Sequence, residues 1–289
     1  MLHNLIARWL AARVWASTRH EMWKQATRHE SPQNVPMLPS ETASDKDEPL
    51  SAEVGFVFAL PIEAAGIVDQ MKSVTKTRGN GRTYHFGLFG GVRVAVVETG
   101  TGQRNAEEGT DALIKTFRPQ RVISAGYAGA LHGWYKKYDI VLPDRLMRLS
   151  DQDVIVIAET NASEEQTTLL TADNVIDTPK KKAALGKKYS ADLVDMETFA
   201  VAQVCQKHHV PFLSVRIVLD TVRETLPRDI QHVMKSAERS RSRLTGALLR
   251  TFFSRPSSVM DLYQIREQAL VATDKLAKFL TDTVKNFRT

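Results

Sequence analysis

Residues 191–221 join an apolar helix-like run to an apolar strand-like run, and each run has a carboxylate at one end. Glu197 comes just before the helix-like run, and Asp220 ends the strand-like run. Ligand sites in open α/β sheets lie at the carboxyl ends of the strands, so both acids can face one crevice. Acids in apolar surroundings usually bind a ligand or take part in chemistry, because unpaired burial is unfavourable.

Short apolar runs alternate with helix-like stretches throughout residues 53–225. Strands are predicted at residues 54–60, 84–89, 92–98, 121–125, 139–142, 154–158 and 211–219. Helices are predicted directly after Leu60, at 105–117 and at 193–208. Alternating strands and helices of this kind predict an α/β sandwich.

The two ends of the chain differ from this core. Residues 1–29 have the apolar spacing of an amphipathic helix with a basic face and three tryptophans. Such a helix either lies in a membrane interface or packs on protein. Residues 30–52 carry four prolines and an acidic patch, which predicts a linker. Residues 226–289 are expected to form a helical extension packed on the core.

The composition excludes several functional classes. Hydrophobic residues make up 43% of the chain and charged residues 25%, which is typical of soluble globular proteins. There is no apolar run of about 20 residues for a membrane span. Arg8 and Arg13 interrupt the apolar N-terminal stretch, so no secretory signal is predicted. We therefore expect a cytoplasmic protein, and contact through residues 1–29 would place it at the membrane surface.

Metal, disulfide and nucleic-acid functions are not predicted. The single cysteine, Cys205, excludes an intramolecular disulfide, and its apolar helix face indicates a buried thiol. No His, Asp and Glu cluster has metal-ligand spacing. The basic residues near the C-terminus lack interleaved aromatics, which is typical of a solvated helix face rather than a nucleic-acid surface.

Two glycine-containing segments follow predicted strands. Gly100, Thr101 and Gly102 precede a helix and offer backbone N–H groups to an anion or a hydroxyl-rich ligand. Residues 124–129 end a strand with small side chains, which either admit a ligand to the backbone or allow close strand–helix packing. Neither segment has the spacing of a dinucleotide fingerprint.

Three further residues have structural explanations beside functional ones. Glu63 lies in the first turn of a predicted helix, where the helix dipole favours an acid. Asp195 is predicted to cap the helix that follows it. Met196 has the helical spacing of a core residue.

Four segments, in order, resemble the nucleoside phosphorylase/nucleosidase superfamily. They are GFVFALPIEA, ETGTGQRNA, ISAGYAGAL before YDIVLPD, and LVDMETFAVAQVCQKHHVPFLSVRIVLD. The core is most similar to the branch of 5′-methylthioadenosine/S-adenosylhomocysteine nucleosidases. The resemblance covers about residues 53–225 and implies a three-layer α/β/α sandwich with a mixed central sheet.

The resemblance implies three catalytic residues. Asp220 matches the acid that contacts the purine at N7 and at an amino group on C6, where it assists departure of the base. Glu197, with Met196, matches the residues that hold the ribose and stabilise an oxocarbenium-like transition state. Glu63 matches the acid that orients or deprotonates the attacking water.

The same resemblance implies a wider substrate-binding set. Tyr127 occupies the position of a small residue near water or phosphate. Val175 lies where an aromatic residue usually stacks on the base. Ser124, Gly126, Gly102 and Asp195 complete the set.

Water is the preferred nucleophile in this interpretation. Phosphorylases of the superfamily often have a phosphate-binding arginine at the position of Ser124, and its absence beside Glu63 favours hydrolysis. Arg104 or Arg78 is then the candidate for any phosphate contact. The predicted reaction is hydrolysis of an adenosine-type nucleoside to adenine and a 5-substituted ribose.

Two alternatives stay open. One is phosphorolysis by the same fold, including that of a lipid-linked, adenosylhopane-like nucleoside. The other is a nucleoside-binding relative without turnover. The resemblance implies no cofactor, and family members usually form dimers or larger assemblies, so a homodimer is expected.

Overall fold

The computed structural model describes residues 51–157, 166–225 and 259–286, and it describes side chains of the last segment from residue 266. The predictions for residues 1–29 and for nearly all of the linker lie outside the described residues. Of the C-terminal extension, only residues 259–286 are described.

One large sheet forms the centre of the described structure. Its strands are β1 (Val54–Phe58), β2 (Lys72–Gly79), β3 (Arg82–Phe89), β4 (Val92–Glu98), β5 (Arg121–Ala130), β6 (Ile140–Val141), β7 (Arg145–Arg148), β8 (Val154–Val156), β9 (Thr168–Thr171), β10 (Leu193–Asp195) and β11 (Phe212–Asp220). The described helices are α1 (Pro61–Val68), α2 (Gln103–Phe117), α3 (Pro179–Tyr189), α4 (Thr198–Lys207) and α5 (Val259–Lys285).

The sheet is mixed, as predicted. Its strand order is β2-β3-β4-β1-β5-β10-β9-β7-β8, while β11 pairs with β5 and β6 pairs with β11. Strand β1 runs parallel to both β4 and β5, whereas β10 runs antiparallel to β5. Short apolar strands buried on both faces suit this arrangement because helices cover the sheet.

Strand β5 changes its neighbour halfway along. On one edge it pairs with β1 as far as Ser124, and then with β10 at Gly129 and Ala130. On the other edge β11 follows it from Val122 to Gly129. On the first of these edges, no strand of the described sheet pairs with β5 between Ser124 and Gly129, which leaves a gap there. Such a switch of neighbours is where α/β sheets hold ligands.

Helices pack on both faces of the sheet, which confirms the three-layer sandwich. Helices α2 and α4 bury Leu113 and Phe199 in the apolar core on one face. Helices α1 and α5 bury Ile67 and Leu276 on the other. Gly66 lets these two helices approach closely, since a Cβ there would lie 2.7 Å from that of Ala277.

Two predicted element boundaries were wrong. Residues 193–195 were predicted as helix, but they form β10 between β5 and β9, and α4 begins only at Thr198. Strand β5 was predicted to end at Ala125 in a glycine turn, but it continues to Ala130. Pairing with distant strands overrides the local pattern in both places.

Cys205 lies fully buried on α4, as predicted. Burial in apolar surroundings raises the pKa of its thiol, which favours the unreactive protonated form. Among the described helices, none combines the length and apolar character that a membrane span requires.

Candidate active site

A narrow cleft opens at the gap beside β5. It encloses about 250 Å³ including its open mouth. Its walls are formed by Val57, Ala59, Glu63, Thr99, Ser124, Ala125, Gly126, Tyr127, Glu197, Val201 and Arg216. The structure thus brings together the predicted residues Glu63, Ser124, Gly126, Tyr127 and Glu197.

Glu63 enters the cleft from the helix layer that contains α1. Pro61 starts the helix, and the Glu63 carboxylate accepts the backbone N–H of Leu60 at 2.8 Å and that of Tyr127 at 2.9 Å. Gly126 makes room for it, since a Cβ there would lie 2.7 Å from Oε1. Burial raises the pKa of Glu63, and the backbone N–H donors and Arg216 oppose that rise.

Glu197 enters from the opposite helix layer, at the N-cap of α4. Its Oε1 accepts the backbone N–H of Gly102 at 2.6 Å. Gly102 has a φ of +93°, a conformation that favours glycine. Burial raises the pKa of Glu197 to about 8, and the charges of Asp195 and Glu63 add to the rise. In the structure the Gly102 N–H thus holds the Glu197 carboxylate, and the predicted contact of Gly102 with substrate stays a prediction.

Arg216 is a site residue that sequence reasoning missed. It lies on β11, is 3% exposed, and donates to Ser124 Oγ at 2.6 Å and to Thr198 Oγ1 at 3.0 Å. It also forms an ion pair with Asp195 Oδ2 at 3.2 Å. The sequence did show Arg216 as a single cation in a mostly apolar strand. Such a residue indicates a functional or paired charge, because a charge is rarely buried without a partner.

The two arginines considered from the sequence as phosphate contacts, Arg104 and Arg78, are not on the cleft wall. Arg104 is 89% exposed on α2 and pairs with Glu108 at 2.9 Å. Arg78 lies on the exposed strand β2. Arg216 is the arginine on the cleft wall, and it reaches the predicted phosphate position from the neighbouring strand.

Asp195 organises the protein around the cleft. It is 7% exposed and accepts hydrogen bonds from Thr171 Oγ1 at 2.8 Å and from the Thr198 backbone N–H at 3.0 Å. The second bond satisfies the first backbone N–H of α4, although the N-cap position itself is occupied by Glu197 and not by Asp195 as predicted. Asp195, Met196 and Val175 are not on the cleft wall, and Met196 and Val175 are half-buried.

Tyr127 contributes its backbone to Glu63 and its side chain to α5. The phenol donates to the Ala269 carbonyl at 3.0 Å and shares a hydrogen bond of 2.7 Å with Thr273 Oγ1. Burial raises the pKa of the phenol. The larger residue at this position therefore ties the cleft to the C-terminal helix.

Asp220 lies beyond the cleft wall, at the end of β11 and opposite Gly129. A bulge between Val218 and Asp220 interrupts the register there. A Cβ on Gly129 would lie 3.1 Å from Asp220 Oδ2, so this second glycine of β5 makes room for a carboxylate as well. Burial raises the pKa of Asp220, and the buried ammonium of Lys182, hydrogen-bonded to Oδ2, opposes the rise.

Comparisons with known proteins agree with this fold. A sequence model of the phosphorylase superfamily matches residues 53–159 and 156–252. The 5′-methylthioadenosine/S-adenosylhomocysteine nucleosidase of Marinomonas sp. is 26% identical over 227 residues, which cover 68% of this chain and 98% of that protein.

Two solved structures extend the comparison. The 5′-methylthioadenosine/S-adenosylhomocysteine nucleosidase of Neisseria meningitidis, in complex with methylthio-immucillin-A, aligns with a TM-score of 0.60 at 19% identity, over 81% of this chain and 98% of that one. Futalosine hydrolase of Helicobacter pylori aligns with a TM-score of 0.59 at 18% identity, over 81% and 97%. These structures share the fold of the described core.

Proposed function

The chain belongs to the phosphorylase superfamily, and on this premise we propose that it hydrolyses the N-glycosidic bond of an adenosine-type nucleoside. The products are adenine and a 5-substituted ribose. One observation carries the proposal: Glu63 and Glu197 come from opposite helix layers and face one narrow cleft in the sheet. The related nucleosidases are named for 5′-methylthioadenosine and S-adenosylhomocysteine, which are nucleosides of this kind, and this supports the assignment.

The two cleft carboxylates serve the ribose and the water. The transition state of glycoside hydrolysis resembles an oxocarbenium ion, so negative charge near the sugar stabilises it. Glu197 accepts a hydrogen bond from a ribose hydroxyl, and Glu63 holds the water and takes its proton. Burial, together with the charges of Asp195 and Glu63, raises the pKa of Glu197, so one carboxylate at a time is favoured as the base.

Asp220 serves the purine. Its carboxyl donates a proton to N7 as the bond to the sugar breaks, and its oxygens accept from an amino group on C6. The electron pair of the broken bond stays on the base, and the added proton makes the departing adenine neutral. Water then adds to C1′ and loses its proton to Glu63.

Phosphorolysis is the second candidate, and Arg216 is the observation that favours it. A guanidinium on the cleft wall is a suitable partner for phosphate. Its N–H groups, however, already bind Ser124, Thr198 and Asp195. A phosphate would have to replace these partners, so water is the preferred nucleophile.

Adenine release tests the proposal. 5′-Methylthioadenosine, S-adenosylhomocysteine and adenosine are each incubated with the protein, with and without phosphate. We expect release without phosphate and no acceleration by it. A requirement for phosphate would replace hydrolysis by phosphorolysis, and no release in either condition would favour a nucleoside-binding protein.

We further propose that the protein is a cytoplasmic homodimer, which is the usual state among family members. Light scattering on the purified chain tests the dimer. The basic, tryptophan-bearing pattern of residues 1–29 supports contact with either an anionic membrane or protein. Flotation with anionic vesicles, before and after removal of residues 1–29, distinguishes the two. If the segment contacts the membrane, the full chain floats with the vesicles and the shortened chain does not. If the segment contacts protein, neither chain floats.

A further inference from the structure

Lys182 is a lysine without solvent exposure. It lies on α3, whose N-terminus is set by Pro179 and by Thr178, which accepts the Lys181 backbone N–H through its side chain at 3.4 Å. Its side chain is 0% exposed, whereas Lys181 on the same turn is 58% exposed and pairs with Asp177. A fully buried lysine is rare unless its charge is paired.

The Lys182 ammonium uses all three of its donors. It donates to Asp220 Oδ2, to the Thr221 carbonyl at 2.9 Å and to the Glu224 carbonyl at 2.8 Å. An ammonium has three N–H donors and no acceptor, and all three partners are acceptors. The geometry therefore matches the charged form of the side chain.

The segment after β11 is held in the same network. Glu224 accepts the Thr221 backbone N–H at 2.7 Å, and its other oxygen pairs with Lys137 at 2.7 Å. Lys182 thus connects α3 to the turn that follows Asp220. Among the described residues, Oδ1 of Asp220 has no hydrogen-bond partner, so that oxygen is available to a ligand.

We propose that Lys182 is a positioning residue for departure of the base. Its ammonium holds Oδ2 of Asp220, leaves Oδ1 for the purine, and stabilises the carboxylate that remains once Asp220 has given its proton to N7. This inference rests on the proposed function. The bond to the sugar breaks, its electron pair goes to the purine, and the proton moves from Asp220 to N7.

The charges around Asp220 give the expected direction of the effect. Burial and Glu224 raise the pKa of Asp220, while Lys182 and Lys137 lower it. Loss of the Lys182 charge therefore raises that pKa further, and the acid releases its proton less readily. The chemical step slows, and substrate binding changes little.

Steady-state kinetics across pH test this role in Lys182→Met, with Lys181→Met as the matched control. Loss of a positioned acid typically removes about 10²-fold in rate, so we expect that drop in kcat with KM nearly unchanged. The high-pH limb of the kcat profile moves to higher pH. Lys182→Arg keeps the charge and restores part of kcat, while Lys181→Met matches the wild type.

A substrate with a better leaving group separates positioning from loss of structure. 4-Nitrophenyl β-D-ribofuranoside releases a stable anion and needs no proton at the leaving group. We expect Lys182→Met and Asp220→Ala to cleave it at nearly the wild-type rate. An equal loss on both substrates would overturn the proposal, because it would indicate general damage to the site.

A titration that needs no turnover completes the test. The Asp220 carboxyl carbon is followed by ¹³C NMR, with Asp220→Asn identifying its signal. Its pKa should rise in Lys182→Met and return toward the wild-type value in Lys182→Arg; the arginine variant decides the matter if the methionine variant does not fold. Unchanged titration would refute the role of Lys182, whereas absence of adenine release by the wild type would refute only the proposed function.

Discussion

The proposed ribose side of the site, Glu63 and Glu197, differs from the proposed base side, Asp220 and Lys182, in the groups that contact its carboxylates. Backbone N–H groups hold both carboxylates on the ribose side, at 2.6–2.9 Å. On the base side a fully buried ammonium contacts the carboxylate directly.

This difference separates two kinds of chemistry. Burial raises the pKa of Glu197 to about 8, and the neutral backbone donor of Gly102 only partly opposes that rise, so its proton can exchange near neutral pH. The ammonium beside Asp220 is fixed and favours the charged product of proton transfer. The ribose side is therefore suited to activating water under a developing cation, and the base side to giving up one proton.

The largest effect is expected from Glu197→Gln. This change keeps the shape of the side chain and, above pH 8 where Glu197 is ionised and kcat is to be measured, removes the negative charge that faces the sugar. Electrostatic stabilisation of this kind is worth roughly 10²–10³ in rate, and we expect kcat to fall by about 10³. Asp69→Asn, at an exposed carboxylate that ends α1, is the control. A fall of less than tenfold would show that Glu197 does not stabilise the transition state.

Glu63→Gln should have the next largest effect. The amide cannot take a proton from water, and general bases typically contribute about 10²-fold or more. The fall should appear in kcat for hydrolysis, while Glu107→Gln on the exposed face of α2 leaves it unchanged. Full activity of Glu63→Gln would show that the ribose side does not supply the base.

The free energy of unfolding should depend on pH because Glu197 binds a proton more tightly in the folded protein than in the unfolded chain. The pKa of Glu197 is about 8 in the folded protein against 4.5 as the ordinary value. Between these values the folded state binds the extra proton, so the free energy of unfolding decreases as pH rises. Urea denaturation should show a loss of roughly 2 kcal/mol from pH 6 to pH 8 for the wild type. Glu197→Gln should show a smaller loss; an equal loss would assign the dependence to other groups.

The smallest effects compare the two glycines of β5. A Cβ at residue 126 lies 2.7 Å from Glu63 Oε1, and one at residue 129 lies 3.1 Å from Asp220 Oδ2. Gly126→Ala must displace its carboxylate, so we expect about tenfold lower kcat/KM, and a smaller loss for Gly129→Ala. Gly79→Ala, with no atom within 4 Å, is the control. A larger loss of kcat/KM for Gly129→Ala than for Gly126→Ala would show that the carboxylate of Asp220 has less room than that of Glu63.

The local sequence predicted much of the fold and the positions of Glu63 and Glu197. Glu63 follows Pro61 at a helix start, and Glu197 precedes an apolar helical run, so their positions were predictable. The strand at 193–195 was not, because its residues continue the helical pattern and only pairing with β5 and β9 makes them a strand. Gly126 and Gly129 were predicted in a turn, but they lie in a strand and serve as space for carboxylates.

The sequence by itself determined the α/β class and the family and predicted the three acids, because apolar periodicity and short motifs are local properties of the chain. Only the tertiary structure decided which cations meet those acids. Three lysines stand together at 180–182, and nothing in their order shows that Lys182 points inward. Likewise, Arg216 reaches the cleft only because its strand, β11, lies next to β5 in the sheet. Contacts between distant segments set the burial of each acid and the charge around it, and these two together decide which acid keeps its proton.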